Sequence, residues 1–196
     1  MFARLRKLIL VTLILLTGGH TVIAEDFQPI TSDYQVRVWT IESGFPHVAP
    51  TCFAQTADGY LWIGSFSSLM RFDGVRFEII APPEVPALKD CMVLHLHVAR
   101  DGALWIATNR GVGRLREDRW MWWSEEAGLP REIPQSLGER AGQVFVTFGT
   151  RAWICRDGAT FSALELPALP MHRDFGVRLH TSFDGGLWLV SVNHIH

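Results

Sequence analysis

Two short phrases place histidines at a spacing that can bind a metal ion. His95 and His97 lie in "HLH", and His194 and His196 lie in "HIH". Residues i and i+2 of a strand share one face, so each pair could present two imidazoles together. Two histidines are too few for a metal site, and the sequence marks no third ligand on another strand. The sequence therefore predicts no metal site and no cofactor.

Three tryptophans cluster in "RWMWWSEE", residues 119–126. On a strand, Trp120 and Trp122 would share one face and Trp123 would take the other. Exposed aromatic rings of this kind would suit stacking on sugars. The repeat described below accounts for Trp120 and Trp123 as core residues, and only Trp122 lacks such an explanation. We therefore interpret the cluster as packing.

The remaining polar residues form no recognisable catalytic set. Five aspartates are interpreted as turn formers: Asp58, Asp73, Asp101, Asp157 and Asp184. Paired carboxylates, a Ser–His–Asp set and a Gly-rich phosphate loop do not stand out, so the sequence predicts no catalytic residues and no enzyme. The net charge is −2, and basic residues cluster only near the start, so we expect no binding to nucleic acid.

One phrase recurs along the chain at intervals of 40 to 43 residues. "DGYLWIG" begins at Asp58, "DGALWIA" at Asp101 and "DGGLWLV" at Asp184, and a weaker copy, "AGQVFVT", begins at Ala141. The copies align Trp62, Trp105, Phe145 and Trp188, and three of them open with the turn dipeptides Asp58-Gly59, Asp101-Gly102 and Asp184-Gly185. A second phrase ends at Phe77, Trp120 and Phe161, and a third begins at Trp39 and Trp123. Three phrases in one register indicate a structural repeat.

The first copy predicts four strands, at residues 50–55, 60–65, 69–72 and 75–80, joined by turns at Ala57-Asp58-Gly59 and Asp73-Gly74. Four short antiparallel strands in about 42 residues are typical of a propeller blade. A blade is covered on both faces by its neighbours, which explains continuous apolar runs, and its Trp needs a partner for the indole N–H. Regular Gly and the absence of a 3.6-residue period disfavour a helical solenoid.

The predicted fold class is therefore all-β: a β-propeller of about four blades, each of four antiparallel strands. The repeats span approximately residues 39–80, 81–124, 125–165 and 166–196, and the last is truncated. Closure with only four blades is the alternative to an incomplete larger propeller. A remnant that does not fold is a further alternative, because an open stack exposes apolar blade faces.

The phrases "WTIESGFP", "DGYLWIG" and "LMRFDGVRF" resemble the two-component regulator propeller repeat. The resemblance runs from Trp39 to the C-terminus and weakens in the third copy, which lacks the Asp and the Trp. It implies the extracytoplasmic sensor of a bacterial sensor or hybrid histidine kinase, or of a diguanylate cyclase. It also implies a seven-bladed propeller, a membrane helix and an output domain beyond this chain, so that the membrane is reached only through missing C-terminal regions. A homodimer of the full-length protein is compatible with it.

The first 24 residues read as a secretory signal peptide. A basic start with Arg4, Arg6 and Lys7 precedes the apolar run Leu8–Leu16, and Ala24 offers a cleavage position. The run is short for a membrane span, although an uncleaved anchor is the alternative. We therefore expect residues 25–196 to form a partial propeller sensor domain on the periplasmic or extracellular side. Its Cys52, Cys91 and Cys155 are expected to be buried thiols, with a Cys52–Cys91 disulfide left open.

Propeller geometry separates two faces of the predicted blades. One carries the Asp-Gly turns, and the other carries the links between second and third strands and between blades. Loops of the second face are the expected place for ligand contacts. The candidates are His47, Ser65, Ser67, Asn109, Arg110, Thr150, Arg151 and His172. The predicted function is sensing of an unknown small-molecule or carbohydrate ligand, and the alternative is a secreted propeller that binds or cleaves polysaccharide without signalling.

Overall fold

The computed structural model describes residues 37–46, 48–83, 85–166, 176–182, 186–191 and 194–195. The chain divides into two compact units, Met1–Val38 and Trp39–His196, and the architecture below is that of the second. The predicted signal peptide, residues 1–24, lies outside the described residues. Within the described ranges, the structure contains no helix with the length and apolar character needed to cross a bilayer.

The fold consists of consecutive antiparallel sheets. The first contains β1 (Pro50–Gln55), β2 (Leu61–Ser65), β3 (Leu69–Phe72) and β4 (Phe77–Ile80), and the second contains β5 (Val93–Val98), β6 (Leu104–Thr108), β7 (Gly111–Arg116) and β8 (Arg119–Trp123). The third contains β9 (Pro134–Arg140), β10 (Gln143–Phe148), β11 (Arg151–Cys155) and β12 (Phe161–Leu164), and the fourth contains β13 (Arg178–Thr181), β14 (Leu187–Ser191) and β15 (His194–Ile195). Each sheet pairs its strands in sequence order. We refer to these sheets as blades 1 to 4, and they confirm the predicted propeller class.

The strands of blade 1 agree closely with the prediction, except at the start of β4. That strand begins at Phe77, two residues later than expected. The reason is local, because Asp73 Oδ1 accepts the backbone N–H groups of Val75 and Arg76, each at 2.7 Å. These bonds hold both residues in the turn rather than in the ladder.

Neighbouring blades contact one another through their first strands, β1 with β5, β5 with β9 and β9 with β13. Apolar side chains fill the spaces between them. Trp62 packs with Val93, Leu104 and Ile106 between blades 1 and 2. Phe145 packs with Val177, Leu179 and Leu189 between blades 3 and 4. Coverage of both faces accounts for apolar residues at successive positions of β2, β6 and β10.

The repeated phrase that begins at Trp39 and Trp123 builds the same short structure twice. A 3₁₀ turn follows each Trp, at Ile41–Ser43 and at Glu125–Ala127. Each turn ends at a glycine with positive φ, Gly44 at 96° and Gly128 at 84°, a conformation that disfavours a side chain. Beyond the turn, Leu129 is buried and Phe45 packs edge-on against Phe77.

The Trp cluster in β8 belongs to the core. Trp123 stacks on Trp105 with ring centres 5.4 Å apart and meets Phe161 edge-on. Trp122, which the repeat left unexplained, lies over two glycines of β7. A Cβ built on Gly113 would come within 3.0 Å of its ring, and one on Gly111 within 3.1 Å. The small residues of β7 thus make room for the indole.

The aligned aromatic positions differ in exposure along the chain. Trp62, Trp105 and Phe145 are buried, with exposed fractions of 4%, 2% and 1%, whereas Trp188 is 48% exposed. The predicted indole partner exists for Trp62, whose Nε1 donates to Thr56 Oγ1 at 3.0 Å. Predicted turn residues Asp184 and Gly185 lie outside the described residues.

The three cysteines are free thiols, with Cys91 and Cys155 buried and Cys52 partly buried. The Cys52–Cys91 disulfide left open by the sequence is therefore not formed. His95 and His97 lie together in β5, while the side chains of His194 and His196 lie outside the described residues. Among described residues, no group of three potential ligands is arranged to hold a metal ion.

Candidate functional site

Each blade has two ends with different loops. In blade 1 the β1–β2 and β3–β4 turns share one end, because the sheet is antiparallel with its strands in sequence order. We name this end the turn face. The opposite end, the link face, carries the β2–β3 connection and the segment that leads to the next blade. Of the eight predicted ligand-contact residues, His47 and His172 lie outside the described residues, and the other six lie in or beside link-face connections.

Ser65 has a structural role at the link face. Its side chain is fully buried, and its hydroxyl contacts the Ser68 carbonyl at 2.9 Å while accepting the Ser67 and Ser68 N–H groups. Thr108 holds the corresponding β6–β7 connection in blade 2 by the same kind of bond to Gly111. The Ser65 hydroxyl is thus committed to the connection, whereas Ser67 is exposed beside it.

Asn109 and Arg110 are exposed and help to hold the link preceding blade 2 in place. Asn109 Oδ1 accepts the Met92 N–H at 2.9 Å, and Arg110 Nη1 donates to the Lys89 carbonyl at 3.2 Å. Each residue therefore has one fixed contact. The second amino group of the Arg110 guanidinium and the amide nitrogen of Asn109 carry further donors for a ligand.

A cleft of about 480 Å³ opens at the link face between the β6–β7 connection and the segment that joins blades 2 and 3. Its lining comprises Asn109, Arg110, Gly111, Ser124, Glu125, Glu126, Pro130, Arg131 and Glu132. We call this the link-face cleft. It brings together two predicted residues, Asn109 and Arg110. Ser65, Ser67 and Thr150 do not line it, and Arg151 reaches only its edge by pairing with Glu132.

The link-face cleft carries charges of both signs. Glu125, Glu126 and Glu132 supply carboxylates, and Arg110 and Arg131 supply guanidinium groups. Arg151 fixes Glu132 by the ion pair and lies over the Trp153 ring, 5.2 Å from its centre. Such a surface can bind a small polar molecule by charge-assisted hydrogen bonds.

Sequence reasoning missed four charged residues of the link-face cleft. Glu125, Glu126, Arg131 and Glu132 follow Trp123 within "WSEEAGLPRE". The corresponding stretch after Trp39, "WTIESGFPHV", contains one acid in place of this charged set. A comparison of the two copies for charge rather than for shared residues would have marked the four positions.

Comparison with known families identifies the repeat. Residues 44–67, which include β1 and β2, match the family described as two component regulator propeller. This match confirms the resemblance stated from the sequence for residues 44–67. A comparison with curated protein sequences gives no match.

Solved structures share the fold at low sequence identity. Virginiamycin B lyase from Staphylococcus aureus aligns with 18% identity and a TM-score of 0.57 over 73% of this chain and 49% of the lyase. The extracellular domain described as that of the hybrid two component system BT3049 from B. thetaiotaomicron aligns with 16% identity, a TM-score of 0.59, and coverage of 74% and 21%. The extracellular domain described as that of the one component system BT4673 from B. thetaiotaomicron aligns with 15% identity and a TM-score of 0.58. This alignment covers 76% of this chain and 20% of that domain. The chain thus spans about half of the lyase and about a fifth of each extracellular domain, and the likeness shows a propeller fold.

Proposed function

We propose that this chain is part of the extracytoplasmic sensing region of a bacterial transmembrane signalling protein. The observation that carries the proposal is the match of residues 44–67 to the two component regulator propeller family. Two of the solved propellers that share its fold are extracellular domains of signalling systems, which agrees with this role. The basic and apolar start of the sequence supports export. The chain itself supplies binding rather than catalysis.

The link-face cleft is the proposed ligand site. Its two walls come from blade 2 and from the segment that leads into blade 3. A ligand held between Arg110 and Glu132 would favour one relative arrangement of these blades over others. Such a preference shifts the population of conformations and so biases any output domain that distinguishes them.

Export is tested by fusing alkaline phosphatase, which is active only outside the cytoplasm, to the C-terminus of the full chain. Phosphatase activity in cells is expected from the intact chain and not from a variant that lacks residues 1–24. Equal activity from both variants would contradict the role of that segment, and inactivity of both would contradict an extracytoplasmic location.

Ligand binding is tested by thermal melting of the purified chain in the presence of individual mono- and oligosaccharides and organic acids. A stabilising compound is expected to lose its effect in Arg131→Ala, which lies in the cleft, and to keep it in Arg119→Ala, an exposed arginine of β8 outside it. Loss in both variants, or in neither, would exclude the link-face cleft. Release of shorter products from a polysaccharide would instead favour a secreted polysaccharide-active propeller.

A further inference from the structure

A second cleft lies at the turn face, between blades 2 and 3, at the opposite end from the link-face cleft. Its volume is about 460 Å³. Blade 2 contributes the β5–β6 turn and two arginines of β7, and blade 3 contributes Glu139 and the β11–β12 turn. Its charged lining residues are Arg100, Asp101, Arg114, Arg116, Glu139, Arg156 and Asp157. We call this the turn-face cleft.

Glu139 is a buried carboxylate on the wall of the turn-face cleft. The residue is only 7% exposed. Its Oε2 accepts the backbone N–H of Arg100 at 2.7 Å and lies 3.6 Å from His97 Nε2, beyond hydrogen-bond distance. Its Oε1 is buried without a hydrogen-bond partner. A buried carboxylate oxygen without a donor is costly, so Glu139, which lines the cleft, is suited to accept a donor from a bound molecule.

The groups that contact the Glu139 carboxylate carry no positive charge at neutral pH. The Arg100 contact is a backbone amide. Burial lowers the pKa of His97 below its ordinary value, although Glu139 acts in the opposite direction, so the imidazole is neutral at pH 7. A cationic donor from a ligand would therefore satisfy both the charge and the free oxygen of Glu139.

The wall contributed by blade 2 has the opposite character. Asp101 Oδ2 accepts from Arg114 Nη2 at 2.8 Å and from Arg116 Nη1 at 3.1 Å, so one carboxylate is shared by two guanidinium groups. Arg114 lies over the Trp105 ring, and its Nε is buried without a partner. A Cβ built on Gly158 of blade 3 would come within 3.3 Å of Arg114 Nη1. Arg114 therefore has a fixed position, and its guanidinium adds positive charge to the wall of the cleft.

A further carboxylate of the cleft, that of Asp157, is already satisfied internally. Asp157 accepts the N–H groups of Ala159 and Thr160 and the Thr160 hydroxyl, and these bonds hold the pKa of its carboxyl well below the usual range. It therefore offers little to a ligand. Arg156, its neighbour, donates to Ser162 at 2.9 Å and adds a further positive charge on the same side.

The two walls therefore favour a ligand that carries charges of both signs. A simple cation would meet the arginines, and a simple anion would meet the buried carboxylate of Glu139. We propose that the turn-face cleft binds a zwitterionic small molecule, a free amino acid or a dipeptide, with its ammonium at the Glu139 carboxylate and its carboxylate at the Arg114 and Arg116 guanidinium groups. The cleft volume lies within the range of small-molecule sites.

This site is separate from the proposed ligand site, because its lining residues belong to the other face of the blades. Its failure would leave the link-face cleft and the extracytoplasmic role untouched. Conversely, a chain without a link-face ligand could still bind an amino acid at Glu139.

The test is isothermal titration of the purified full chain with each common L-amino acid and with L-alanyl-L-alanine. At least one of these compounds is expected to bind. Its N-acetyl derivative, which lacks the ammonium, and its carboxamide, which lacks the carboxylate, are each expected to bind at least about tenfold more weakly. Equal binding of either derivative would overturn the zwitterion assignment, and so would the absence of binding by every compound.

Variants locate the site. Glu139→Gln keeps the shape of the side chain and removes its charge, and it should weaken binding at least about tenfold. Arg116→Gln should weaken binding of the parent compound while leaving that of its carboxamide unchanged. Glu165→Gln, an exposed glutamate after β12, is the matched control and should bind as the unmodified chain does. Unchanged binding in a Glu139→Gln variant with normal thermal melting would show that the carboxylate is structural.

Discussion

Trp62 shows what one residue of the repeated phrase contributes. Its indole is buried between blades 1 and 2 and donates to Thr56 Oγ1, whereas Trp188, at the aligned position of blade 4, is 48% exposed. The same residue type in the same register therefore has different energetic value, since the contribution comes from burial against a neighbouring blade.

Trp62→Ala is expected to lower the free energy of unfolding by about 3–5 kcal/mol, because it leaves a cavity and an unused Thr56 hydroxyl. Trp188→Ala should cost about 1 kcal/mol or less. Chemical denaturation of the two variants measures both values. A Trp188 effect as large as the Trp62 effect would contradict the assignment of burial between blades as the source of stability.

The two histidines of β5 make stability depend on pH. Burial lowers the pKa of His97, against the effect of Glu139, and burial also lowers that of His95, with Arg178 and His180 acting in the same direction and the Pro134 carbonyl against it. Their ordinary value is 6.5. The unfolded chain therefore binds more protons than the folded chain as pH falls below 6.5. This contribution is fully present above pH 6.5 and declines as pH falls towards the folded pKa values.

A His95→Gln/His97→Gln variant should show a flatter dependence of the free energy of unfolding on pH between about 7 and 5 than the unmodified chain. Asp101 also titrates. Burial raises its pKa, but the Ala103 N–H and Arg114 outweigh burial and hold the pKa below 3.8, so titration of Asp101 changes stability only at lower pH than that of the histidines. Denaturant titration at several pH values provides the measurement. An identical slope in the variant would show that these imidazoles titrate alike in both states.

At the scale of elements, the hairpins were predictable and their boundaries were nearly so. Asp58-Gly59 and Asp73-Gly74 specify tight turns locally, and the apolar runs between them can form only strands that are covered on both faces. The 3₁₀ turns after Trp39 and Trp123 were not predicted. Their short phrase shows no helical period, and they depend on a single glycine in the left-handed region.

The sequence of a single strand also does not show where neighbouring blades approach each other closely. Gly64 of β2 is one such place, since a Cβ there would come within 2.5 Å of Cys52 Sγ and 2.7 Å of Val93 Cγ1 in blade 2. The glycine therefore sets the distance between β2 and β5 rather than forming a turn.

Gly64→Ala should lower the free energy of unfolding by about 1–3 kcal/mol through overpacking. Val93→Ala is also destabilising on its own, but it makes room for the new methyl group. The double variant should therefore lose less unfolding free energy than the two single variants lose together, as a double-mutant cycle measures. Strict additivity would show that the two residues do not meet.

At the scale of the molecule, the clefts arise between blades, and this explains what the sequence could and could not reveal of them. Asn109 and Arg110 were found because a β6–β7 connection must lie at the link face. Glu139 was not found, because its weaker repeat copy obscures the register and because the neighbouring His97 comes from another blade. Side chains brought together by packing of blades leave no local pattern in the sequence.

The same dependence on neighbours predicts how far a local defect spreads. Trp123 stacks on Trp105 and contacts Phe161, so Trp123→Ala removes packing between blades 2 and 3, at a cost of about 3–5 kcal/mol of unfolding free energy.

The thiol of Cys91 is a probe for unfolding on the other side of blade 2. It is buried among the residues that join blades 1 and 2, and burial raises its pKa to about 11, so the folded chain should react slowly with a thiol reagent at pH 8.

If the blades unfold as one cooperative unit, Trp123→Ala will increase the rate of Cys91 labelling by the factor that corresponds to its loss of unfolding free energy. Thiol-exchange kinetics with mass analysis would measure that rate. The Trp188→Ala variant is the matched control and should leave labelling close to that of the unmodified chain. Unchanged labelling in Trp123→Ala would show instead that blades 1 and 2 remain folded when the next interface weakens. That result would describe an array coupled only between nearest neighbours, in which a ligand at one interface could not reach a distant blade.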